Sequence, residues 1–151
     1  MAASYSLELS TDLTPARALR LLAERFGFQW GDAEHLLGPA LWIGAIEVSR
    51  DWRSIVEEGF HFSPDLSVGF RLSPNSKDYE EGRRVLLRAA MLLLEHSRDA
   101  VLLFNGEHIV LQRIRGSLVL NADYGGWTDG FQLENEIRLP HEKRSLPSPL
   151  L

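Results

Sequence analysis

Residues 100–121 read AVLLF-NG-EHIVLQRI-RG-SLVLN, three apolar runs separated by two dipeptides. Asn105-Gly106 is the strongest short signal for a β-hairpin, because both central residues of a type I′ turn need positive φ and few residues accept it. Arg115-Gly116 reads as a second two-residue turn, which makes the stretch a three-stranded antiparallel meander. Tight turns fix the register, and the register assigns each side chain to a face. Phe104 opposite Glu107 places Leu102 opposite Ile109, and Ile114 opposite Ser117 places Arg113 opposite Leu118 and Leu111 opposite Leu120. One face then carries Leu102, Phe104, Ile109, Leu111, Leu118 and Leu120, and is the expected core face. The other carries Val101, Leu103, His108, Val110, Gln112, Ile114, Val119 and Asn121. It is mixed, so it is either partly solvated or covered by another element.

An apolar sheet face needs a cover. The run VLLRAAMLLLE is apolar around most of a helical circumference, as expected of a helix lying deep against a sheet. The spacing predicts a helix from Ser76, as cap, to about Ser97, with Asp78, Glu80 and Glu81 in the first turn and an ion pair between Glu80 and Arg84. Gly82 inside it weakens the helix by about 1 kcal/mol relative to alanine, which suggests close approach of another backbone. Earlier, Tyr5, Leu7 and Leu9 alternate with Ser6, Glu8 and Ser10, a strand with one buried and one wet face. Thr14-Pro15 opens a helix carrying Leu19, Leu22 and Phe26, closed by Gly27.

Leu41 to Val48 reads as a strand with both faces at least partly covered, and Leu66 to Leu72 as a one-sided strand. Residues 50–64 fit a helix or a strand equally. The expected fold is α+β: a mostly antiparallel sheet, two helices packed on one face, and a C-terminal three-stranded meander. Residues 1–139 form the expected single domain, and the proline-containing 140–151 an extended C-terminal tail.

The sequence has 151 residues and no cysteine, so disulfides, thiolate catalysis and Cys-bearing metal sites are excluded. At this length burial alone can stabilise a domain. MAASYSLELS lacks the regions of a signal peptide, no apolar stretch spans a bilayer, and a cytoplasmic location is expected. The formal charge is −5, and residues 28–66 hold seven acids (Asp32, Glu34, Glu47, Asp51, Glu57, Glu58, Asp65) against Arg50 and Arg53. Such a segment opposes phosphate-backbone binding and favours a basic partner. A solvated acidic surface is the plain alternative.

The five histidines form no ligand pair, and neither phosphate-cradling nor nucleophile-elbow motifs occur. No catalytic residue, metal or cofactor is expected. Glu57, Glu58 and His61 are the best acid–base candidates, but adjacent carboxylates diverge on either a helix or a strand. Binding anchors are better represented. Trp52 follows Asp51 near Glu57 and Glu58, and Tyr124 and Trp127 sit in a Gly-rich segment between Asp123 and Asp129. Aromatic anchors with a charged rim suit a protein interface, although tryptophans also pack at core edges.

The segments SYSLELSTDLTPARAL, SVGFRLSPNSKDYEEGRRVLLRAAMLLLE and DAVLLFNGEHIVLQRIRGSLVLN resemble the immunity proteins of the myxobacterial swarming-inhibition (polymorphic) toxin systems. The resemblance covers about half of the chain and carries little of the acidic middle. It implies a cytoplasmic protein, monomer or homodimer, that binds the effector domain of a cognate toxin, without nucleic acid or membrane. The alternatives are a small-ligand protein or enzyme with a pocket between helices and sheet, and a homo-oligomeric scaffold using the mixed sheet face.

Overall fold

The computed structural model of the protein describes residues 3–127 and 132–147. Among the described residues nine strands form one sheet in the order β2-β3-β4-β5-β1-β6-β7-β8-β9. They are β1 (Ala3–Thr11), β2 (Gln29–Asp32), β3 (His35–Gly38), β4 (Leu41–Glu47), β5 (Leu66–Leu72), β6 (Ser97–Phe104), β7 (His108–Ile114), β8 (Ser117–Asn121) and β9 (Glu142–Arg144). All neighbours are antiparallel except β8 and β9. The expected α+β class and the meander are both present.

Three helices cover the sheet: α1 (Pro15–Phe26), α2 (Arg50–Phe60) and α3 (Tyr79–Leu94). Helices α1 and α3 share one face, where Ala18, Leu19, Leu22 and the apolar run of α3 join Tyr5, Leu7, Leu9 and Phe70 in the main core. Helix α2 lies on the opposite face. Its Val56 and Phe60 pack with Val101, Leu103, Ile109, Val119 and Leu146 in a second, smaller core. The ambiguity of residues 50–64 is thus resolved by a helix, which is also the cover for the mixed face of the meander.

Local signals explain the helix ends. Thr14 Oγ1 accepts from the Arg17 N–H at 3.2 Å, and Gly27 closes α1 at φ +70°. Ser49 Oγ accepts from the Trp52 N–H at 3.2 Å to open α2. Helix α3 is shorter than expected: Ser76 instead accepts from the Asp78 N–H in the preceding turn, and Ser97 already begins β6. Glu80 bonds Arg83, while Arg84 lies 3.6 Å from Glu136. At Gly82 an added Cβ would sit 2.5 Å from the Pro39 carbonyl oxygen, so the close backbone approach does occur.

Both meander turns have positive φ at their central residues: Asn105 +53°, Gly106 +73°, Arg115 +53°, Gly116 +80°. The second hairpin keeps the expected register, with Ile114 opposite Ser117 and Leu111 opposite Leu120. The first does not. Phe104 pairs with His108, and a bulge between Leu102 and Leu103 brings Leu102 opposite Leu111. One extra residue reverses the faces before it. Ile109 therefore points into the second core, and Val110 enters the main core in its place.

Two other expectations change. Glu8 is not wet: α2 covers that side of β1, and the residue is 1% exposed. Strand β4 is not covered on both faces: Leu41 and Ile43 are buried, but Ile46 is 66% exposed. At the C-terminal end, Glu142–Arg144 pairs with β8, and Leu146 is buried against the second core.

Candidate binding surface

The expected contact residues separate into three environments. Asp51, Glu57 and Glu58 are exposed on α2, the helix whose inner stripe holds Val56 and Phe60. Successive helical residues diverge by about 100°. Asp51 and Glu58, seven residues apart, therefore share a side, and Glu57 points away from it. Trp52 lies between core and surface. Its indole N–H donates to Glu8 Oε1 at 2.8 Å, and its ring packs on the second core.

Tyr124 and Trp127 are tied inward. Tyr124 is half-buried, with its hydroxyl 2.9 Å from that of Tyr5. Trp127 is 3% exposed, and its indole N–H donates to the Asn121 carbonyl at 2.9 Å. The indole thus fills the core edge and offers almost no surface to a partner. Asp123 is exposed and accepts a hydrogen bond from the Ser145 hydroxyl. Asp129 lies outside the described residues.

The acid–base trio does not converge. His61 caps α2 in the left-handed region, and its neighbourhood forms an open cleft of about 500 Å³ with Phe60, Ile109, Gln112, Ile114 and Arg144. Among the described residues no carboxylate lines this cleft. Among the described residues there is also no group of three or more His, Asp or Glu able to hold a metal. None of the described helices is long and apolar enough to cross a membrane.

Glu8 was read from the sequence as an ordinary solvated strand residue. In the structure its Oε1 accepts from Trp52 Nε1 at 2.8 Å and from Ser67 Oγ at 2.7 Å, while its Oε2 is buried without a hydrogen-bond partner. Burial pushes its carboxyl above the ordinary range, against the lowering effect of the bonds from Ser67 and Trp52. The residue fastens α2 to the centre of the sheet and has no free outlet to solvent.

The acidic segment is divided by the fold. Residues 28–48 hold Asp32, Glu34 and Glu47 with no lysine or arginine, whereas α2 carries three acids beside Arg50 and Arg53. Asp65 accepts from the Thr11 N–H at 3.0 Å and lies 3.6 Å from Arg98. The β2–β4 end also bears Trp30, Leu37, Trp42 and Ile46, four of the five large apolar side chains that stand exposed among the described residues. None of these four is among the contact residues expected from the sequence. The available signal was an acidic, base-free stretch that still contained two tryptophans.

The structure is an α+β fold in which, among the described residues, most of the exposed large apolar side chains gather at one end of the sheet. The sequence profile of the SitI3-like family matches residues 3–131, and the chain belongs to that family. No curated protein and no solved structure matches the chain.

Proposed function

We propose that this protein is an immunity protein of a swarming-inhibition-type toxin system, acting in the cytoplasm. It neutralises a cognate toxin by binding its effector domain. The observation that carries the reading is membership of the SitI3-like family across most of the chain. It is supported by the exposed apolar side chains at one end of the sheet and by the acidic balance of residues 28–66. On this reading the partner surface is basic. The acids Asp51, Glu57 and Glu58 of α2 steer it, and Trp52 holds that helix against the sheet. Steering by charge raises association rates more than it deepens affinity.

Co-expression tests the reading. Growth of cells producing the toxin domain of the adjacent open reading frame is expected to be restored by this protein, and growth of cells producing an unrelated toxin is not. Equal failure on both would remove the function. Full rescue by a variant with Asp51, Glu57 and Glu58 changed to lysine would remove the electrostatic part alone.

A further inference from the structure

Resting on that reading, we propose that the uncovered end of the sheet, strands β2 to β4, is the face that docks the toxin. The occupant is a basic protein surface that presents an apolar side chain.

The open face follows from dimensions. Nine strands at about 4.8 Å spacing make a sheet about 38 Å wide, whereas the 11 residues of α2 are about 16 Å long. Helix α2 lies over β1 and β6 to β8, as its contacts with Glu8, Val101, Ile109 and Val119 show. The same face of β3 and β4 is left bare. Leu37 and Trp42 are each 37% exposed there, and they are direct cross-strand partners. Trp30, 48% exposed on the free edge strand, pairs with Leu36 and so stands on the other face, beside the patch and not in it.

The site is built and held before any partner arrives. The His35 ring stacks on Trp42 with centroids 4.9 Å apart, and it is fixed from behind by Asp32, whose Oδ1 lies 2.9 Å from His35 Nδ1. Between Trp42 and Ile46 lies Gly44, covered by the His35 ring (a Cβ there would sit 3.0 Å from His35 Cδ2), and the open floor is its cross-strand partner, Gly69 of β5. A Cβ at Gly69 would meet nothing within 4 Å, so a partner side chain can reach bare backbone there. A rigid aromatic beside an open apolar floor is the arrangement of an interface hot spot.

Charge selects the occupant. Beside this face the β2–β3 turn carries Asp32 and Glu34, and residues 28–48 hold no lysine or arginine, so a second copy would set these acids against their own kind; Glu47, paired with Leu66, points to the other face. The nearest cation on this face, Arg71, is the cross-strand partner of Trp42 on β5. A basic surface is attracted where a copy is repelled.

Binding of the full-length protein to the purified effector domain of the adjacent open reading frame tests the proposal. Leu37→Asp and Ile46→Asp change exposed side chains, and unchanged thermal midpoints would establish that both variants fold. Each is expected to weaken the Kd about 30-fold or more and to abolish growth rescue. The double variant Asp32→Lys, Glu34→Lys is expected to slow association about tenfold at low salt and far less at high salt. Arg20→Ser, on the outer side of α1, is expected to bind like wild type. Wild-type affinity in both aspartate variants would overturn this surface and leave neutralisation standing. A wild-type protein that neither binds nor rescues would overturn both. A wild-type dimer that Ile46→Asp converts to monomer would assign the face to a second copy and overturn the proposal.

Discussion

Glu8 carries the sharpest consequence at the scale of single residues. Its carboxyl is raised by burial, so the fold favours the protonated form more than the unfolded chain does. The stabilisation linked to that proton is full below the unfolded carboxyl value and is lost as pH rises through the higher folded value. Wild type compared with Glu8→Gln should therefore lose relative stability as pH rises above the ordinary carboxylate range, measured by denaturant midpoints. A difference that stays constant with pH would remove Glu8 as the source. Glu8→Ala leaves Trp52 Nε1 and Ser67 Oγ without their acceptor and is expected to cost about 2 kcal/mol or more. Period-two alternation placed Glu8 on a face opposite Leu7 and Leu9, which is correct. It could not show that a helix 44 residues further along lies across that face.

Among the elements, α3 and the first hairpin separate local preference from tertiary constraint. Gly82→Ala would gain about 1 kcal/mol in helix propensity. The added methyl would meet the Pro39 carbonyl oxygen at 2.5 Å and Leu72 Cδ2 at 2.7 Å, and one of these is backbone. Overpacking of this kind costs about 1–3 kcal/mol, so the clash outweighs the propensity. A lowered thermal midpoint is the expected result, and a raised one would show that the residues 38–40 loop yields. The hairpin at Asn105-Gly106 illustrates the converse. Its turn chemistry was legible because two consecutive positive φ angles demand such residues. The bulge beyond it was not. No residue type marks it, and its effect is to give Ile109 to the α2 core and Val110 to the main core.

For the whole molecule, the C-terminal segment is part of the cover. Strand β9 extends the sheet at β8, Leu146 closes the second core, and the Leu146 N–H donates to Asn121 Oδ1 at 2.9 Å. Deleting residues 140–151 removes these contacts and exposes the β8 edge. The shortened protein is expected to melt earlier and to self-associate in sedimentation, since an unprotected edge pairs readily. An unchanged midpoint and a monomeric profile would show that the segment contributes nothing. The candidate site was only partly legible on this scale. Acidic charge in residues 28–66 was visible, but the fold divides it between α2 and the β2–β4 end. Tyr124 and Trp127 stood out by residue type and turned inward, whereas Trp42 and Ile46 read as ordinary strand residues, Leu37 carried no reading, and all three stand open. What the sequence determined by itself is the elements that carry their own signals (β1, α1, β4, β5, α3 and the meander): caps, turns and periodicity act within a few residues, and their chemistry is written where it acts. Which face each helix covers, and so which side chains remain for a partner, was decided only by tertiary packing. Three helices are too few for both faces of nine strands, and the uncovered remainder is set by where distant segments meet.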